Sequence, residues 1–148
     1  MIGFFLGYAA LAILVSVLFA LLEIQIEGEH GLAAKLPTFK IKSRFFPHHP
    51  WILTGYHIYL WLFLFLMLHV PRLFVEWGFR EELEVLSFYV LILGLEDFLW
   101  FVLNPYFTLK KFKKAHVWWH LAWLGPVPVM YFIGITLWAI LFFWAQAI

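Results

Sequence analysis

Apolar side chains dominate four stretches of the chain, Ile2 to Leu22, Trp51 to Val70, Leu83 to Leu103 and Val129 to Ala147. Short polar connections separate them. Each has the length of about 20 residues that a helix needs to cross a hydrocarbon layer of roughly 30 Å. The run from His116 to Ile148 is too long for one crossing, and Gly125-Pro126-Val127-Pro128 divides it. A short interfacial or re-entrant helix over His116–Leu124, anchored by Trp118, Trp119 and Trp123, is therefore expected before the last span. The predicted fold class is an all-α integral membrane protein, four transmembrane helices plus that short helix, in a single domain over residues 1–148.

The connection from 28 to 50 carries Gly28, Gly31 and prolines at 37, 47 and 50, which rule out a continuous helix. Alternation in Phe39-Lys40-Ile41-Lys42 predicts a short extended piece near the headgroups. His48 and His49, enclosed by Pro47 and Pro50, read as loop residues. The first span lacks a basic leader and a small-residue cleavage site, and is expected to be a retained anchor.

Composition agrees with the pattern. Hydrophobic residues make up 65% of the 148 and charged ones 13%. Soluble domains carry about 45–50% and about 25% respectively, so lipid must solvate the excess. Cysteine is absent, which excludes disulfides and thiolate metal sites. The net charge of +1 is uninformative as a total, and no nucleic-acid partner is expected; the distribution of charge along the chain carries the information. With four crossings, Lys35, Lys40, Lys42, Arg44, Lys110, Lys111, Lys113 and Lys114 share one side, against Arg72 and Arg80 on the other. Short basic loops stay in the cytoplasm, so both termini are expected to face outward from a plasma (inner) membrane.

Within the spans, small residues and carboxylates share a face. At ~100° per residue, Ala9, Ala12, Ser16 and Ala20 form one stripe that Glu23 and Glu27 continue. Small residues mark close helix approach, so these carboxylates are expected to point at neighbouring helices. The third span contains Glu96 and Asp97 side by side. A charge at the middle of a membrane helix costs roughly 2.5–3.5 kcal/mol, so the pair needs a basic partner, a metal or a proton.

Imidazoles lie at the same depth. His57 is just inside the second span, and His116 and His120 open the segment leading into the fourth. On a helix, His116 and His120 would project from one face, a spacing suited to two ligands of one ion. Glu27 and His30 have the Glu-x-x-His spacing of carboxylate-bridged bundle sites, provided Gly28 does not end the helix. The expected metal ligands are Glu23, His30, His57, Glu96, His116 and His120, with Asp97 and Glu27 as catalytic proton carriers. Carboxylate and imidazole donors favour zinc, iron or manganese, and the set would suffice for two ions.

The leading functional expectation is a metal-dependent membrane enzyme acting on a lipid or isoprenoid substrate. The alternative is a transport or accessory subunit whose intramembrane carboxylates carry protons or cations. A chain this short would need to form a homo-oligomer to enclose such a path. Haem binding fits less well, because His69 has no matching histidine at its own depth.

Overall fold

The computed structural model describes residues 2–46 and 49–148, so His48 lies outside the described residues. Helix α1 runs Ile2–Glu27, α2 Gly55–His69, α3 Phe79–Leu103 and α4 Val129–Ala147. All four, α2 with its 3₁₀ extension to Leu73, are long and apolar enough to cross a membrane. Two-residue strands β1 (Lys40–Ile41) and β2 (Leu53–Thr54) pair antiparallel, as do β3 (Trp123–Leu124) and β4 (Val127–Pro128). The extended piece expected around Lys40 is thus one arm of a paired ladder.

Helix α3 is the hub, packing against α1, α2 and α4. The small-residue stripe of α1 meets it: Ala12, Ser16, Ala20, Glu23 and Glu27 are all buried. Ser16 Oγ donates to Ile92 O at 3.3 Å, which is possible only because no larger side chain separates the two backbones. Two apolar clusters form along this contact. Ala12, Leu64, Phe88 and Ile92 make one, and Ala20, Ile24, Trp100, Phe101, Phe107 and Val117 the other. On α3, Glu96 falls between Ile92 of the first and Trp100 of the second.

Helix ends are set by identifiable residues. Gly28 closes α1 with φ +62, and its N–H bonds Ile24 O at 2.9 Å, the left-handed stop that glycine adopts without strain. Asn104 closes α3. Its Nδ2 donates to Gly28 O at 2.7 Å while its Oδ1 accepts from the N–H groups of Tyr106 and Phe107. One buried amide therefore ties the end of α1 to the end of α3 and starts the next loop. Asn104→Ala leaves these groups without partners, and each orphaned group costs about 1–3 kcal/mol. The expected result is a lower thermal unfolding midpoint in detergent.

The segment before α4 differs from expectation. Residues 113–122 form turns, and the predicted helix over His116–Leu124 is replaced by turns and the β3–β4 hairpin. Gly125, with φ +59, occupies the first central position of a two-residue hairpin loop, where type II′ turns carry glycine. Val117 is fully buried in the aromatic cluster, and Trp119 packs against Phe101 and Phe107. An apolar, tryptophan-rich run was compatible with either form. Tertiary packing and the Gly-Pro turn decide it.

The loops 28–54 and 104–128 cover the same end of the bundle. Trp51 donates to Leu32 O at 3.4 Å and meets Trp118 edge-on at 5.0 Å. Gly31 sits directly against the Trp119 indole, where any Cβ would collide. At the opposite end, His69 lies 3.2 Å from Glu82 Oε1, and Trp77 Nε1 donates to the other oxygen of that carboxylate at 2.9 Å. Tyr8 links Ser87 at 2.9 Å to Trp138 at 3.2 Å, tying α1, α3 and α4. His69 therefore belongs to a separate polar group, as its depth predicted.

Candidate metal centre

The β1–β2 pairing fixes the position of the first imidazole. Lys40 opposite Thr54 places Thr54 at the mouth of α2, where Tyr56 N also bonds Thr38 Oγ1 at 2.9 Å. Thr54 caps α2 through its hydroxyl, which accepts from His57 N at 3.5 Å and lies 2.8 Å from His57 Nδ1. With Nδ1 occupied by Thr54, Nε2 is directed away from the cap. It lies 3.5 Å from Glu27 Oε1 and 4.0 Å from Glu23 Oε1.

Donor atoms of Glu23, Glu27 and His57 all lie within 4.8 Å of one another, and all three residues are buried. Glu27 Oε1 also accepts from Ala33 N at 2.5 Å. Leu32 and Ala33 take left-handed backbone angles there, φ 53 and 49, a conformation non-glycine residues adopt at a cost. The buried carboxyl of Glu96 on α3 lies beside that of Glu23 on α1. An ionised carboxylate has no hydrogen to donate, so this contact needs a shared proton, or a cation in its place. Glu23 Oε1 and Glu96 Oε1 are otherwise buried without partners, and the hydroxyl of Tyr56 beside Glu23 has no well-formed hydrogen bond.

A second group adjoins this one. Asp97 Oδ2 accepts a short hydrogen bond from the Tyr131 hydroxyl on α4 and lies 3.2 Å from His120 Nε2. His120 Nε2 makes no hydrogen bond despite that distance. The chain matches no family model, no curated protein and no solved structure. What the site does has to be argued from these contacts.

Of the residues singled out from the sequence, Glu23, Glu27, His57 and Glu96 come together, and Asp97 pairs with His120. His30 and His116 do not join them. Gly28 ends the helix before His30, whose Nε2 lies 3.5 Å from Glu29 Oε1 on the surface side. His116 is exposed in a turn, and without a helix the four-residue spacing to His120 loses its meaning. Sequence reasoning missed Thr54 and Tyr131. A threonine three residues before a histidine at a helix start signals a cap that also reaches the ring. Tyr131 shows no comparable signal, because its pairing with Asp97 depends on how α4 packs on α3.

Among the described residues no lysine or arginine pairs with Glu23, Glu27, Glu96 or Asp97. The basic side chains beside them are the imidazoles of His57 and His120, which offset a carboxylate only when protonated. A metal or protons are what remain to offset four buried or half-buried carboxylates.

Proposed function

We propose that the protein is an integral membrane enzyme with a divalent metal held by Glu23, Glu27 and His57, acting on a lipid-like substrate. The observation that carries this reading is the convergence of two buried carboxylates and a buried imidazole from two apolar helices, with no lysine or arginine paired to them among the described residues. Oxygen and imidazole donors suit zinc, iron or manganese. A metal so held would supply Lewis-acid chemistry toward a substrate oxygen or a water. Asp97, fixed by Tyr131 and facing His120, is placed to move a proton beside it.

A groove of about 300 Å³ between α3 and α4 supports a hydrocarbon substrate. Gly94 and Gly134 line it and leave open space where side chains would stand. Tyr131 lines it too, and the same tyrosine reaches Asp97. A chain in the groove would therefore run toward the polar cluster.

The test is turnover. Metal-loaded protein incubated with lipids extracted from its native membrane should convert one lipid class, detected by mass spectrometry. His57→Ala should abolish the conversion, and Gly134→Leu, which fills the groove, should reduce it by about tenfold or more, given 1.4 kcal/mol per tenfold. Conversion that persists in His57→Ala would refute the assignment.

A second reading rests on the buried carboxyls of Glu23 and Glu96, each with an oxygen that has no hydrogen-bond partner, which fits protons held within the membrane. In that reading the protein is a transport or accessory subunit. Proton flux in liposomes that disappears in Glu96→Gln would favour it.

The basic loops support a topology with the Glu23–Glu27–His57 end at the cytoplasmic leaflet and both termini outside a plasma membrane. The absence of cysteine makes this easy to measure. A cysteine introduced at Lys113 should be labelled by an impermeant maleimide only after permeabilisation, and one at Val75 in intact cells. The reverse pattern would invert the topology.

A further inference from the structure

We propose that a groove between α1, α2 and α3 binds a phospholipid whose headgroup pairs a primary ammonium with a phosphate. The groove lies at the end of the bundle away from Glu23, Glu27 and His57, and none of the candidate metal ligands lines it. Its volume is about 390 Å³.

The helix faces that line it grade from polar to apolar. On α3, Glu81, Glu84, Val85 and Phe88 recur at the spacing of one face, with carboxylates in the first turns and apolar side chains deeper. That face extends ~10 Å from Glu81 to Phe88 at 1.5 Å per residue, so a headgroup at the start sets its first acyl carbons against Val85 and Phe88. Gly7 and Leu11 of α1 form the opposite wall. A Cβ at Gly7 would meet nothing within 4 Å, so the groove stays open there. Leu68 of α2 lines the third side. A concave apolar floor with a few polar groups at one end matches the two halves of a lipid.

Charge complementarity selects the headgroup. Glu84 Oε1 accepts from Arg80 Nε and Gln146 Nε2, each at 3.2 Å, and Glu81 Oε2 accepts from Gly78 N at 2.8 Å. Among the described residues the second oxygen of each carboxylate accepts no hydrogen bond, which leaves both for an ammonium. Trp77, also in the lining, is held by its Nε1 bond to Glu82 Oε2 at 2.9 Å and by the His69 ring at 6.0 Å. A fixed indole beside two carboxylates adds a face that attracts cations. Arg80 is half-exposed and engages Glu84 through Nε alone, so its Nη groups are left for a phosphate. Sites of both signs side by side fit a zwitterion. A purely anionic headgroup would meet the two carboxylates, and a quaternary ammonium has no hydrogen to donate to them.

The test is a competition between two lipids that differ only at the nitrogen. The purified full chain in detergent is given equal amounts of dioleoyl phosphatidylethanolamine and dioleoyl phosphatidylcholine. Native mass spectrometry should show the first retained in excess, by about threefold to tenfold for two partly exposed ion pairs. Glu81→Gln with Glu84→Gln should abolish the preference, while glutamine keeps an acceptor for Gly78 N at the start of α3. Gly7→Leu, which fills the groove and leaves its charges in place, should abolish it too. Equal retention of both lipids by the unaltered protein would overturn the site, as would a preference that persists in either variant. Should the double variant fail to fold, Gly7→Leu decides alone.

Discussion

His57→Ala is expected to release the metal, lowering affinity by at least ~100-fold, because even the outer partners of metal ligands are worth about 10–100-fold. The histidine is the only imidazole within 4.8 Å of both Glu23 and Glu27 among the described residues. Its ring is positioned by the Thr54 hydroxyl at 2.8 Å, so Thr54→Val gives a graded companion. That variant keeps the ring but frees its orientation, and the loss should be about 10–100-fold. Isothermal titration of the chelator-stripped protein with Zn²⁺ measures both. Unchanged binding in His57→Ala would remove the imidazole from the ligand set.

Phe101→Ala should have the largest effect on stability, about 3–5 kcal/mol for removing a buried aromatic side chain. Phe101 is 1% exposed and stacks on Trp119 at 6.0 Å, with Phe107 and Phe112 edge-on at 5.6 and 4.7 Å. These rings join α3 to the loop 104–128, which covers the polar end and carries His120. The cavity left by Phe101 would therefore loosen His120 and the loops above it along with the core. The expected outcome is a lower unfolding midpoint in detergent and faster protease cleavage within residues 104–128. A change in midpoint without increased cleavage would separate core packing from the loop.

Much of this architecture was legible in the chain. The last span covers Val129–Ala147 as the apolar run indicates, with Pro128 capping its start. The buried face of α1 follows from the spacing of Ala12, Ser16 and Ala20, since small side chains are what let α3 approach. The third span starts earlier than hydropathy suggests, at Phe79, because Glu81 and Glu82 favour a helix N-terminus despite their polarity. Glu81 Oε2 accepts from Gly78 N at 2.8 Å, which hydropathy cannot register.

The site was legible in part. Depth along each helix is set by sequence position, so Glu23, Glu27, His57, Glu96 and Asp97 could be grouped before any coordinates. Rotation between helices is set by packing, so which carboxylate meets which imidazole could not be read. His116 and His120 show the other limit. Their spacing has meaning only on a helix, and the Gly125-Pro126 turn with the burial of Val117 imposes a different backbone. His120 reaches Asp97 all the same, through a loop.

The most direct measurement is anomalous scattering from crystals of the protein grown with Zn²⁺, collected at the zinc absorption edge. The account predicts a peak enclosed by Glu23, Glu27 and His57, with ligand atoms at about 2.0–2.2 Å. A peak confined to surface histidines such as His30 or His116, with none between α1 and α2, would contradict it.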